Sequence, residues 1–103
     1  MDEQASVLSE RAEENFRSIW EYSVAEFGEA QAERYVERLF DAFGMLEAHP
    51  RMGRTVPEGP PGTRVFPVGS HYVFFRPAGE TIIVLAILHQ ASDAVEHIRE
   101  ELD

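Results

Sequence analysis

Residues 9–50 decide the fold, and they read SERAEENFRSIWEYSVAEFGEAQAERYVERLFDAFGMLEAHP. Apolar side chains recur at steps of three and four positions across residues 12–27 and again across residues 31–46, which is the period of an amphipathic α-helix. Only a few residues around Gly28 separate the two patterns. Helices joined by so short a link must lie antiparallel, so the stretch predicts a helical hairpin.

The ends of both predicted helices carry local signals. Ser9 can cap the first helix through its hydroxyl, and Gly28 is expected to end that helix as a left-handed cap. Pro50 disfavours helical geometry in the residue before it, so the second helix should end near His49. The apolar residues expected in the core are Phe16, Ile19, Phe27, Leu39, Phe43 and Leu46.

Downstream of the hairpin the pattern changes from helices to strands. Glycine and proline are dense in residues 50–62, which predicts an irregular loop. Three strand-like runs follow at residues 63–68, 71–76 and 81–89, separated by short turns. The third run is apolar on both faces and should be central in its sheet, whereas Pro67 fits only an edge or a bulge of the first run.

The two ends of the chain complete the predicted order, β-α-α-β-β-β-α. Residues 5–8 fit a short edge strand, and Ser92 fits the cap of a last helix. The apolar stripe of that helix is Val95, Ile98 and Leu102. A helical hairpin laid on a small antiparallel sheet buries the apolar stripes of both helices, which predicts a two-layer α+β fold. The length predicts that residues 1–103 form a single domain.

The composition limits the partners and the compartment. The net charge is −10, from 9 basic residues, all arginine, and 19 acidic ones. Such a charge disfavours attraction to nucleic acid or anionic lipid, so direct nucleic-acid binding by the chain alone is not expected. No apolar run approaches the ~20 residues of a membrane span, and the acidic start lacks the features of a signal peptide. We therefore expect a cytoplasmic protein without membrane contact.

Several stretches resemble the ParE toxins of the RelE/ParE superfamily. They are LSERA at 8–12 with IWEY at 19–22, HPRMG at 49–53, GSHYVFFR at 69–76, and ILHQ at 87–90 with Asp93. Each stretch is short, but together they span most of the chain in the order and spacing of that family.

The resemblance implies a toxin of a type II toxin–antitoxin system, a class linked to plasmid stabilisation. It implies a ParD-like antitoxin, which has a ribbon-helix-helix DNA-binding domain and a C-terminal segment that folds along the toxin. It also implies DNA gyrase as the target, inhibited by protein–protein contact without catalysis or a cofactor. Because ParD dimerises, we expect a hetero-oligomer of toxin and antitoxin.

The related RelE nucleases provide the alternative function, a ribosome-dependent mRNA endonuclease. Basic residues on their sheet hold the scissile phosphate and activate the 2′-hydroxyl. Gln90 and Ala91 stand where the resemblance leads us to expect an arginine, and His97 is the nearest substitute for an expected C-terminal tyrosine. These differences favour binding over cleavage. A third hypothesis is a degenerate toxin kept for its antitoxin-binding surface.

The candidates for target binding lie on and after the predicted sheet. They are Arg64, His71, Arg76, His89, Gln90 and Asp93. The competing interpretation is structural: His89 would fix the end of its strand, and the arginines would serve packing and solubility. His89 and Asp93 supply only two ligands, so no metal site is expected.

The candidates for antitoxin binding lie on the helical hairpin, and they are Trp20, Tyr22, Tyr35 and Arg38. Aromatic residues at helical spacing are more often core, but an exposed tryptophan or tyrosine is a frequent interface anchor. We expect one side of the hairpin and the outer sheet edge to receive the antitoxin. The acidic helix faces should be solvated, and an antitoxin segment that covers them should carry compensating arginine or lysine.

Overall fold

The computed structural model describes residues 6–91, and the predicted last helix therefore lies outside the described residues, as does the start of the first predicted strand. The helices of the hairpin are α1, Glu10–Phe27, and α2, Glu29–Ala48. The strands are β1 Val7–Leu8, β2 Arg54–Thr55, β3 Arg64–Val68, β4 His71–Ala78 and β5 Thr81–His89. The two-layer α+β fold is confirmed. Among the described residues, neither helix has the length and apolar character that crossing a membrane requires.

The strands form one sheet in the order β1-β5-β4-β3-β2. Strands β2 to β5 are antiparallel, and β1 adds to β5 in parallel, so the sheet is mixed. β5 has a neighbour on each side, as its two apolar faces predict. Pro67 lies on the part of β3 that β2 does not reach, because β2 pairs only with Arg64 and Val65. Its missing amide proton is therefore tolerated at an edge.

The hairpin is tied to the sheet where α1 begins. The Ser9 hydroxyl accepts a hydrogen bond from the Ala12 amide at 3.1 Å and donates one to the Leu85 carbonyl at 3.0 Å. One side chain thus caps the helix, as predicted, and anchors it on β5. The Asn15 side chain adds a second link, because its oxygen accepts a hydrogen bond from the Ile87 amide at 3.0 Å.

Gly28 alone joins the two helices, with φ +89° and ψ 165°. Gly28 ends α1 with positive φ, as predicted, but its ψ is extended rather than left-handed helical, a combination that is essentially reserved for glycine. Since a single residue reverses the chain, α2 begins at Glu29, two residues before the predicted start at Gln31.

Two strand assignments also differ from the prediction. The predicted loop at 50–62 contains β2, whose two residues are too few to show an alternating pattern. β4 continues to Ala78 through Pro77, which was assigned to a turn. Because β3 begins opposite Phe75, only β5 neighbours β4 at Pro77, and no second neighbour needs the missing amide proton.

The main core lies between the hairpin and the sheet. Its buried residues are Ala12, Ile19, Leu39, Ala42, Phe43 and Leu46 from the helices and Val68, Val73, Phe75, Ile82, Val84 and Ile87 from the sheet. Phe16 is partly buried against this cluster. The prediction of Phe27 as a core residue is wrong, because the last residue of α1 stands at the hairpin turn with 63% of its surface exposed.

A β-bulge in β5 decides which of its side chains face the hairpin. Phe74 pairs with Ala86 and Phe75 with Val84, which leaves Leu85 as the extra residue. The alternation therefore changes phase, and Ala86 joins a second cluster on the opposite face while Ile87 faces the hairpin. Two residues further on, the same phase turns His89 toward the hairpin.

Candidate binding groove

An open groove of about 660 Å³ lies between the hairpin and the end of the sheet at which β3 turns into β4. Its lining residues are Ser18, Ile19, Tyr22, Ser23 and Phe27 from α1, Gln31, Arg34, Tyr35 and Arg38 from α2, and Ser70, His71 and His89 from the sheet. The groove therefore combines side chains from two helices, the β3–β4 turn, the start of β4 and the end of β5.

The α1 side of the groove carries exposed aromatic rings. Tyr22 is 62% and Phe27 63% exposed, whereas Ile19, one turn earlier, is buried. Large apolar rings at the rim of a concavity are typical of protein-binding surfaces, because a partner can desolvate them without unfolding anything.

Tyr35 connects α2 to the floor of the groove. Its hydroxyl lies 2.6 Å from His71 Nδ1 and 3.2 Å from the Val68 carbonyl, and it accepts a hydrogen bond from the Ser70 amide at 3.0 Å. A phenol has one proton, so it donates to either Nδ1 or the carbonyl, according to the His71 tautomer. Burial raises the pKa of Tyr35, and the Ser70 amide and the Arg38 charge offset part of that rise.

The two histidines of the groove form a polar end of its lining. His71 and His89 are paired across β4 and β5, with ring centroids 5.2 Å apart and planes at 75°. Burial and, to a smaller extent, the charge of nearby His89 together lower the pKa of His71 to about 4. His71 is therefore uncharged at neutral pH. Nδ1 of His89 accepts a hydrogen bond from the Ala91 amide at 2.9 Å.

The β3–β4 turn beneath the groove is held by Gln90. The Gln90 amide of the backbone donates to the Ser70 carbonyl at 2.8 Å, and its side-chain amide donates to the Gly69 carbonyl at 3.1 Å and the His71 carbonyl at 2.9 Å. Gln90 thus contacts the turn within this chain, and a contact with the target stays a prediction.

The α2 side of the groove carries positive charge. The Arg34 guanidinium donates a hydrogen bond to the Gln31 side-chain oxygen at 2.7 Å, and the guanidinium carbon of Arg38 stands 5.8 Å from the centre of the Tyr35 ring. Stacking of this kind holds a guanidinium without neutralising it.

The predicted basic residues of the sheet are not brought together. The Arg64 guanidinium donates to the backbone carbonyls of residues 51, 52 and 53 at 2.6, 3.3 and 3.2 Å, which fastens the loop after α2 to β3. Arg76 lies five residues after His71 on β4, so the two side chains project from opposite faces of the sheet. The remaining target candidate, Asp93, lies outside the described residues.

The outer edge of the sheet at β5 is largely occupied from within the chain. β1 pairs with Ile83 and Val84, and beyond them the side chains of Ser9 and Asn15 bind the edge. On the other edge, β2 leaves the last part of β3 without a neighbouring strand among the described residues. An antitoxin strand at either edge stays a prediction.

The groove joins residues that the sequence assigned to two different partners. Target candidates His71 and His89 and antitoxin candidates Tyr22, Tyr35 and Arg38 line the same concavity, while Trp20 is half-buried outside it.

Sequence reasoning missed Gln31 and Arg34 as lining residues. They lie at steps of three and four residues from Tyr35 and Arg38, which places all four on one stripe of α2. This spacing along α2 was the sequence signal that could have identified Gln31 and Arg34 as lining residues.

The fold is that of a small α+β domain in which a helical hairpin packs on a five-stranded mixed sheet. A solved chain titled chromosomal ParDE TA system from P. aeruginosa superimposes on it with a TM-score of 0.69 at 20% identity, covering 84% of this chain and 95% of that one. At this identity the likeness shows the fold alone.

Sequence comparison identifies the family. The model of the ParE toxin of the type II toxin-antitoxin system parDE matches residues 7–94. Toxin ParE1 of Mycobacterium tuberculosis is 40% identical over 88 residues, covering 84% of this chain and 90% of the relative. Toxin ParE of Escherichia coli is 34% identical over 99 residues, covering 95% and 96%. The chain therefore belongs to the ParE toxin family of type II toxin–antitoxin systems.

Proposed function

We propose that this ParE toxin acts by binding a protein target, that the target is DNA gyrase, and that a ParD-like antitoxin neutralises the toxin by occupying the groove. The observation that carries the proposal is the convergence of exposed aromatic rings, two arginines and the pair of His71 and His89 in one concavity. Such a surface suits an amphipathic segment, which lays its apolar face into a groove and hydrogen-bonds at the rim.

Binding is favoured over mRNA cleavage by where the basic groups lie. Endonucleolytic cleavage needs a base, an acid and positive charge around one phosphate. Arg64 is engaged with three backbone carbonyls, and Arg76 projects from the face opposite His71. His71 and His89 are the basic sheet candidates on the groove face, and the lowered pKa of His71 leaves it uncharged at neutral pH.

The antitoxin proposal follows from family membership and from the open form of the groove. The ParD-like protein would supply a C-terminal segment to the groove and a ribbon-helix-helix dimer, which makes a hetero-oligomer the expected assembly. We further propose that residues 1–103 act as a single domain in the cytoplasm. Because target and antitoxin candidates share the groove, the antitoxin would exclude the target by direct occupation.

A matched pair of phenylalanines tests the groove as the antitoxin site. Phe27 lines the groove and is 63% exposed, while Phe40 is 55% exposed on α2 and is absent from the lining. Phe27→Ala should weaken binding of the purified ParD-like antitoxin by about tenfold or more, as expected for an interface anchor. Phe40→Ala should leave the affinity within about twofold. Equal affinities for the two variants in isothermal titration calorimetry would contradict the assignment.

Two assays separate gyrase inhibition from mRNA cleavage. Purified toxin should inhibit supercoiling or increase DNA cleavage by gyrase, and no effect at a large molar excess would refute the gyrase proposal. Primer-extension mapping after induction should show no cuts at codon positions. Cuts that disappear in Arg64→Ala and Arg76→Ala would establish the nuclease alternative instead.

A further inference from the structure

The charge of the groove is opposite in sign to the charge of the whole chain. The chain carries −10, yet the fully ionised side chains that line the groove, within the described part of the chain, are Arg34 and Arg38. No aspartate or glutamate of residues 6–91 is among the lining residues. A ligand in the groove therefore meets a local field that the net charge does not predict.

The two arginines of the groove are close enough along α2 to contact the same ligand segment. Arg34 and Arg38 are four residues apart on α2, so they project from the same helical face one turn apart. A guanidinium has five N–H donors in a planar fork that matches a carboxylate. The Arg34 contact with Gln31 involves an uncharged oxygen, and Arg38 stacks on Tyr35, so neither contact neutralises a guanidinium charge.

On the other helix of the groove, α1 offers Tyr22 and Phe27 as exposed rings. At the sheet end, His71 adds hydrogen-bonding atoms and no charge at neutral pH. A ligand that satisfies all three sides needs a carboxylate next to a large apolar group. A basic ligand would bring its charge against Arg34 and Arg38.

We propose that the groove selects a partner segment in which an aspartate or glutamate lies three or four residues from a leucine or an aromatic residue on one helical face. The carboxylate binds Arg34 and Arg38, and the apolar side chain packs against Tyr22 and Phe27. This inference rests on the proposed use of the groove as a protein-binding site. It assigns the antitoxin segment in the groove an acidic anchor, whereas the outer helix faces favour basic groups.

Peptide selection tests the inference because the net charge of −10 predicts basic ligands, whereas the two arginines of the groove predict acidic ones. Random 15-residue peptides displayed on phage would be selected against the full folded chain and, in parallel, against the Phe27→Ala variant. Sequences enriched only with the native chain depend on the groove. These sequences should combine aspartate or glutamate with a leucine or aromatic residue at helical spacing, even though the net charge of the chain attracts basic peptides.

A charge-reversal pair supplies the matched control. Arg34→Glu with Arg38→Glu changes the net charge as much as Arg17→Glu with Arg51→Glu, but Arg17 and Arg51 are exposed and absent from the groove lining. The first pair should weaken a selected peptide by tenfold or more and shift the selected sequences toward lysine and arginine. The second pair should leave both unchanged. Circular dichroism melting confirms that each variant is folded.

The outcomes separate the inference from the function on which it rests. Groove-dependent sequences that are basic or neutral, or that bind the Arg34→Glu and Arg38→Glu variant as well as the native chain, would overturn the acidic anchor and leave the groove as a binding site. If Phe27→Ala selects the same sequences as the native chain, the groove is not the docking surface and both proposals fall.

Discussion

The β3–β4 turn and the β4–β5 turn each contain a glycine with positive φ, but the surroundings of the two glycines differ. Gly69 and Gly79 have φ of +57° and +63°, a region that L side chains rarely adopt. A Cβ on Gly69 would lie 2.6 Å from the Tyr35 ring, whereas a Cβ on Gly79 would meet nothing within 4 Å. Tyr35 and Gln90 bind the first turn through hydrogen bonds.

The comparison shows that side chains hold the β3–β4 turn more firmly than the reversal of two strands requires. A two-stranded reversal requires only a compatible turn, and the β4–β5 turn supplies that with Gly79. The β3–β4 turn is also the floor of the groove, and side chains from α2 and the end of β5 hold it in place. A floor that is rigid before binding lowers the ordering cost that a partner must overcome.

Alanine at the two glycines gives the largest expected contrast. Gly69→Ala should lower the free energy of unfolding by about 3 kcal/mol, because left-handed strain of about 1–2 kcal/mol adds to the clash with Tyr35. Gly79→Ala carries the strain alone and should cost about 1 kcal/mol. Urea unfolding of both variants measures the difference. Equal losses would show that Tyr35 yields without cost and that the turn is not fixed by it.

Removing the Tyr35 hydroxyl is expected to have the next largest effect. Tyr35→Phe leaves the Ser70 amide and His71 Nδ1 without this partner and should cost about 1.5–2 kcal/mol. Tyr22→Phe removes a hydroxyl from a ring that is 62% exposed and should cost less than about 0.5 kcal/mol. Thermal or urea unfolding compares the two variants, and similar losses would contradict the network at the turn.

The architecture was largely predictable because periodic apolar residues record burial directly. The steps of three and four in residues 12–46 identify the hairpin, and the apolar run of β5 identifies an inner strand. The period of the apolar residues does not show whether other residues cover the end of a helix, and Phe27 was therefore wrongly predicted in the core. β2 has two residues and leaves no pattern. The same limit hides the bulge at Leu85, because an extra residue inside a run apolar on both faces changes no visible alternation.

The groove was only half predictable. Tyr22, Tyr35, Arg38, His71 and His89 were named from the sequence, but their convergence depends on strand register and on a bulge. The backbone carbonyls that accept hydrogen bonds from Arg64 could not be predicted, since every residue carries the same backbone oxygen.

Truncating Gln90 tests the second side chain that holds the groove floor. Gln90→Ala removes its side-chain donations to the Gly69 and His71 carbonyls but keeps the backbone bond to Ser70, so we expect a loss of about 1 kcal/mol. Glu80→Ala, in the exposed β4–β5 turn, should change the free energy of unfolding by less than about 0.5 kcal/mol. Hydrogen exchange at the Ser70 amide should accelerate in the first variant only, and unchanged exchange would contradict this role.

The smallest expected effect is the pH dependence that His71, next to the β3–β4 turn, contributes to the free energy of unfolding. The folded pKa of His71 is about 4, below its ordinary value of 6.5, because of burial and the charge of His89. Below pH 6.5 the unfolded chain therefore takes up a proton that the folded chain does not, and the stability that is fully present above pH 6.5 is lost as the pH falls toward 4. After discounting for solvent around the half-buried ring, the loss should be about 0.7 kcal/mol at pH 5.5. His71→Gln removes this titration, so the stability difference between native and variant chains should shrink from pH 7.5 to pH 5.5 in urea titrations. A difference that stays constant would mean that His71 accepts its proton equally well in the folded and unfolded chains, and that the floor of the groove is more hydrated than its contacts with Tyr35 and His89 indicate.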